Sequence, residues 1–180
     1  RRNWDAAKRD EKGRKGVMDG LPATLPALAR AARVIARAAR VGYDFPHRDM
    51  LFDKLREELD ELARELFDDG RVPDMPATVD AEPVPDEPVA DPATQARIEA
   101  EIGDMLFVVA NIARRWGVDP EGALRRSTRK FERRFAAIEA GLAEQGSDVQ
   151  QATLQQMEAV YQRAKAAEGV HHAPTEGTGE

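Results

Sequence analysis

The strongest constraint on the fold of this chain is the leucine spacing in MLFDKLREELDELAREL. Leu51, Leu55, Leu59, Leu62 and Leu66 recur every three or four residues and share an arc of about 80° on a helical wheel, the signature of one buried helix face. The same period runs through TLPALARAARVIARAARVGYDF, where Leu25, Leu28, Ala32, Ile35 and Ala39 form one face and Arg30, Arg33, Arg37 and Arg40 another. No apolar run alternates between hairpin turns, so an all-α fold is expected.

Capping chemistry sets the expected helix ends. Thr24 is read as the N-cap of the first helix, with Pro26 in its first turn and Gly42 as its stop. A second helix should run from about residue 46 to 67, ended by DDG, and a third from about 93 to 116. The third turns apolar nearly all round at MLFVVA, which predicts burial on several sides. A fourth starts with Asp119 as cap, Pro120 in the first position and Glu121 suited to the helix dipole, and ends at Gly146. A last helix should start at Thr153, where Gln156 completes a capping box, and run to about residue 167. Residues 1–23 read as a charged linker with a short helix at about 4–12, residues 24–168 as the helical domain, and residues 169–180 as a disordered tail. Within the domain, residues 68–93 form an acidic loop holding six of the eleven prolines; such a composition is expected to loop away rather than pack.

The charge balance, 27 Lys and Arg against 33 Asp and Glu for a net −6, argues against a nucleic-acid-coating protein. There is no cysteine, which excludes disulfides and thiolate-bound metal and fits a cytoplasmic protein. No apolar run approaches the roughly 18–20 residues of a membrane span, and RRNWDAAKRDEKGRKG has no signal-peptide core. The chain begins without methionine, as a piece of a longer protein would.

Certain acids break the helix pattern. Glu58 lies about 20° outside the leucine arc, with Glu61 further round on the same side, whereas Asp60 opposes the stripe and Glu57 points well away. EIGDMLFVVAN repeats the arrangement: Glu101 and Asp104 are again three apart, on a flank that continues to Val108 and Asn111. A lone EExxE is most often solvated surface. Two such pairs, on helices that must pack together, would repel one another unless a divalent cation lay between them. Hard Mg²⁺, with Mn²⁺ as an alternative, suits an all-carboxylate set. The three histidines, His47, His171 and His172, have no ligand spacing of their own.

With these residues in view, KLREELDELARE followed by RIEAEIGDMLFVVANIARRWGVDPEGALRRSTRKFERRF resembles the MazG family of nucleoside triphosphate pyrophosphohydrolases, in its EExxE and ExxD motifs. LPALARAARVIARAARVGYDF is similar to the family's first helix, and the likeness extends over roughly residues 4–165. It implies a helical bundle completed by dimerisation, and Mg²⁺-dependent cleavage of a nucleoside triphosphate to monophosphate and pyrophosphate. It also implies metal ligands at Glu58, Glu61, Glu101 and Asp104, the same four serving catalysis. Lys54, Arg97, Lys130 and Arg134 match positions that face the triphosphate. Tyr161 and Lys165 match a base-stacking aromatic, commonly Trp in the family, and a nearby lysine.

On this resemblance the chain is most similar to the C-terminal, catalytically competent half of the long bacterial form, with a nucleoside triphosphate as substrate, a homodimer as assembly, and neither membrane nor nucleic acid as partner. Two other readings compete with nucleotide-pool cleaning. One is phosphoribosyl-ATP pyrophosphohydrolase activity, which shares the metal logic; the other is a noncatalytic helical oligomerisation module.

Overall fold

The structure, a computed structural model, describes residues 16–170. The expected helix at 4–12 and the tail beyond residue 170 lie outside them. The described residues form five helices and no strand: α1 (Ala27–Arg40), α2 (Met50–Leu66), α3 (Pro92–Arg115), α4 (Pro120–Ala143) and α5 (Leu154–Val170). No helix among them is long and apolar enough to cross a membrane. The chain divides into two compact units, one comprising the residues up to Asp74 with Glu87–Leu124, the other Met75–Asp86 with the chain from Arg125 onward.

Several helix ends differ from expectation for local reasons. Thr24 does not cap α1; Pro26 stands at the N-cap in an extended conformation, its carbonyl accepting from the Arg30 amide at 2.9 Å. Helix α2 starts at Met50 rather than near 46, because the amides of Met50, Leu51 and Phe52 bond carbonyls three residues back, a tighter turn than an α-helix. Asp91 caps α3, its carboxylate accepting from the Thr94 hydroxyl at 2.6 Å and from the amides of Thr94 and Ala93 at 2.9 and 3.3 Å, and these bonds, the hydroxyl first, hold its carboxyl below its ordinary value. The predicted capping box of α5 is present in both directions, with Thr153 N–H donating to Gln156 at 2.8 Å and Gln156 N–H to the Thr153 hydroxyl at 3.2 Å. That helix continues to Val170, into what was expected to be tail.

In the first unit, α3 packs on both α1 and α2, and Ile35, Leu51, Ala63, Val108 and Ala110 are buried. Helices α2 and α3 run antiparallel: Arg97, near the start of α3, donates to Glu65, near the end of α2, at 2.7 Å. At the other end the Phe52 and Trp116 rings meet edge-on, centroids 5.7 Å apart. The arginine face of α1 is not all solvent, since Arg37 donates to the carbonyls of Val17 and Asp19 at 3.1 and 2.6 Å and fastens the preceding turn.

Burial of MLFVVA on several sides is not what this single chain provides. Val108 and Ala110 are buried, but Leu106, Phe107 and Val109 are each more than two-fifths exposed, and so is Leu66 of α2. The described chain supplies α3 with neighbours on the α1 and α2 side, leaving the opposite side in water.

In the second unit Ile138, Leu142 and Val160 form a core, with Val149, Ala152, Met157 and Tyr161 packed against it. The close approach of α4 and α5 depends on Gly141: a Cβ there would stand 2.7 Å from Val160 Cγ1. Residues 75–86 of the acidic loop have no helix or strand. They nevertheless group with this unit, where Gln155 donates to the Val79 carbonyl at 3.0 Å.

Candidate metal and nucleotide site

Antiparallel pairing of α2 and α3 brings the two acidic motifs together. Glu58, Glu101 and Asp104 each offer a carboxylate oxygen, and these atoms lie within 4.8 Å of one another. Glu58 is 4% exposed, Glu101 half-buried and Asp104 exposed, so the cluster has a buried floor and an open rim. Glu61, the fourth predicted acid, stands outside this trio, half-buried and 3.8 Å from Arg64. Partial burial first, then the negative charges of Glu61, Glu58, Asp104 and Glu65, push the Glu101 carboxyl above the ordinary carboxylate value.

Lys54 sits one turn before Glu58 on the same flank. Its ammonium is 2.7 Å from Glu58 and 3.1 Å from Glu57, and these bonds, Glu58 first, hold it protonated well above the ordinary lysine value. Glu57 is thus a partner for Lys54 rather than a member of the acid cluster, in keeping with its outward wheel position. Arg97 lies at the other end, occupied by Glu65 and by the Thr94 hydroxyl at 2.9 Å. Glu65 was not among the predicted site residues. It shares the flank of Glu58 and Glu61 at helical spacing, which was the available signal.

The donor set is oxygen throughout, with no imidazole or thiolate in the group. Three carboxylates at this spacing, one of them open to water, fit a hard divalent ion that keeps further positions for water or phosphate.

The remaining predicted residues belong to the second unit. Arg134, half-buried on α4, donates to the Tyr161 hydroxyl at 3.1 Å, with its guanidinium carbon 5.5 Å from that ring's centroid. Lys130 precedes Arg134 by one helical turn, and Lys165 follows Tyr161 by one on α5; both lysines are exposed. Tyrosine in place of tryptophan therefore supplies an acceptor that tryptophan would lack.

One polar group beyond the predicted site stands out at the far end of α3. Asn111 is buried at 7% exposure. Gly117, at φ +70°, ends α3 in a Schellman turn, with the Val118 amide on the Ala113 carbonyl at 2.8 Å. Gly42, at φ +94°, ends α1 the same way, and the chain that follows brings Asp44 to Arg114 and Arg115. The Arg114 guanidinium donates to both Asp44 oxygens, at 2.8 and 2.7 Å, and Arg115 to one of them at 2.9 Å. Burial pushes the Asp44 carboxyl up, but the hydrogen bonds from Arg114 and Arg115 prevail and hold it below its ordinary value.

Comparison with known proteins matches residues 47–137 to the MazG nucleotide pyrophosphohydrolase domain. The chain is 34% identical over 168 residues to the nucleoside triphosphate pyrophosphohydrolase of Escherichia coli (strain K12), covering 92% of this chain and 56% of that protein. It is 28% identical over 169 residues to the nucleoside triphosphate pyrophosphohydrolase/pyrophosphatase MazG of Thermotoga maritima, covering 93% and 56%. A 71-residue stretch, 39% of this chain and 14% of the other, is 38% identical to the uncharacterized protein YabN of Bacillus subtilis (strain 168). The chain thus spans about half the length of the first two relatives.

Proposed function

We propose, for a chain that belongs to the MazG nucleotide pyrophosphohydrolase family, that it hydrolyses ribo- or deoxyribonucleoside triphosphates to the nucleoside monophosphate and pyrophosphate. The observation that carries this reading is the convergence of Glu58, Glu101 and Asp104 on two helices whose packing would otherwise oppose three like charges.

Glu58, Glu101 and Asp104 would hold Mg²⁺, or Mn²⁺, with Glu61 the fourth carboxylate beside them. The ion, when bound, supplies charge that offsets the phosphate oxygens and makes a water more acidic. The overall change is one displacement at phosphorus: a P–O bond to water forms, and the P–O bond to the departing pyrophosphate breaks. The chain's own residues position and neutralise. Lys54, tethered to Glu58, carries its ammonium at the edge of the cluster, where it can turn to a phosphate oxygen. Arg97, Lys130 and Arg134 are assigned to further triphosphate oxygens, Tyr161 to stacking on the base and Lys165 to the phosphates near it. The Arg134 to Tyr161 hydrogen bond would fix that guanidinium before substrate arrives, which lowers the entropy lost on binding.

The proposed setting is the cytoplasm and the proposed role the removal of unwanted nucleotides. A homodimer is proposed as the working assembly, on the strength of the apolar side of α3 left exposed in one chain.

The reading is tested by incubation with Mg²⁺ and a panel of nucleoside triphosphates, products being separated by ion exchange. Monophosphate and pyrophosphate in equal amounts are expected. Diphosphate and phosphate would contradict the cleavage position, and no turnover on any nucleotide would favour a noncatalytic helical module.

A further inference from the structure

The α3 flank that carries Glu101 and Asp104 continues through Val108 to Asn111, about 10 Å beyond Asp104 at 1.5 Å per residue. Because α2 runs antiparallel, Lys54 lies on the same side of the acid cluster as Asn111. The amide of Asn111 is held in one orientation. Arg114 Nε and Nη2 stand 3.0 and 2.8 Å from Asn111 Oδ1, and a guanidinium only donates, so the atom facing it has to be the oxygen. Arg114 cannot easily turn away, since Asp44 takes its Nη2 with both oxygens. Asp44 is itself fixed by Arg115, which also donates to the Phe45 carbonyl at 3.0 Å. No described residue accepts from the Asn111 amino group. No fully buried side-chain nitrogen or oxygen lacks a partner among the described residues, so that amino group keeps contact with solvent.

We propose that Asn111 recognises the nucleoside half of the substrate, its amide held with the amino group outward by the Asp44–Arg114 clamp so that it donates to an oxygen or ring-nitrogen acceptor on the base or sugar. The proposal rests on the nucleotide reading above. With the phosphates at the acid cluster, Asn111 lies about two helical turns along α3, a span of the order of that from phosphate to base. Arg114 and Asp44 are positioning residues: they do not touch the nucleotide, but they decide whether a donor or an acceptor is offered to it.

The test measures Kd by calorimetry, with Mg²⁺ present, for non-hydrolysable α,β-imido nucleoside triphosphates and for inorganic tripolyphosphate, which has no nucleoside. Asn111→Asp keeps the shape and an acceptor for Arg114 but removes the donor; Asp44→Asn loosens the clamp. Both substitutions are expected to weaken nucleotide binding about tenfold or more, the value of one good hydrogen bond, while tripolyphosphate binding stays within about twofold. A loss confined to bases with an acceptor, carbonyl oxygen or ring nitrogen, at the recognised edge identifies a base contact; an equal loss for all bases identifies the sugar. Unchanged nucleotide binding in both variants, or equal weakening of nucleotide and tripolyphosphate, overturns the inference alone. An unsubstituted protein that binds no nucleotide overturns it together with the reading it rests on.

Discussion

Glu101 is where folding and chemistry oppose each other. Its carboxyl is pushed above the ordinary 4.5 by partial burial and by Glu61, Glu58, Asp104 and Glu65. A carboxyl whose folded pKa is raised favours the folded state below its unfolded pKa, and that contribution is lost as pH rises through the folded pKa. In the metal-free protein near neutral pH, ionised Glu101 therefore opposes folding. Glu101→Gln is expected to raise the melting temperature at pH 7 in a chelator, with the gain shrinking as pH falls through the raised folded pKa and gone once pH is below the ordinary 4.5, and to reduce the further rise that Mg²⁺ produces in the unsubstituted protein. Thermal melts across pH check this, and a Gln variant that melts lower in chelator at pH 7 would contradict it. Glu101 and Asp104 were legible in the sequence because i,i+3 spacing fixes their common flank whatever the rotamers. The separation of Glu61 from the trio was not, since it depends on the path of the side chain and on Arg64. Asp44 and Arg114 were also hidden: 70 residues apart, they meet only because two Schellman turns redirect the chain.

The helices themselves were largely readable, since the apolar stripes of the first two and the capping residues of the last two need no tertiary information to be seen. Their ends were less so. Asp91 was read as part of an acidic loop, although its carboxylate on the Ala93 and Thr94 amides makes it the cap of α3. Pro26 displaced the expected cap of α1 because its carbonyl, rather than the Thr24 side chain, starts the helix. Gly141 appears in sequence as one more small residue in AAIEAGLAE, yet α4 and α5 approach closely enough there for Val160 to fill the space a side chain would need. The Val160 side chain is stiff at χ1 and cannot swing aside freely. Gly141→Ala is expected to destabilise the fold by about 1–3 kcal/mol through overpacking, even though alanine is the better helix former by about 1 kcal/mol. Denaturant unfolding decides between the two effects, and a stabilised variant would mean that the helices separate at little energetic expense.

At the scale of the molecule, the exposed apolar side of α3 is the largest departure from the sequence reading. MLFVVA predicts enclosure, and a single chain encloses only part of it. The homodimer proposed above reconciles the two, because a second copy would cover Leu106, Phe107 and Val109 without any change in the fold. Sedimentation at micromolar concentration is expected to give twice the 19.9 kDa of one chain, and Leu106→Lys, which places a charge on that side, is expected to shift the protein towards monomer. A monomer at all concentrations would contradict the assembly while leaving the acid cluster within α2 and α3 intact.

The cluster is the centre of the account, and its most direct test is the initial rate of Mg²⁺-dependent monophosphate release by the unsubstituted protein and by Glu101→Gln, each shown to be folded. Loss of one carboxylate from a three-carboxylate cation site is expected to slow turnover by about 100-fold or more without lowering the melting temperature. Undiminished release by the glutamine variant would contradict the assignment of Glu58, Glu101 and Asp104 as the site of the chemistry.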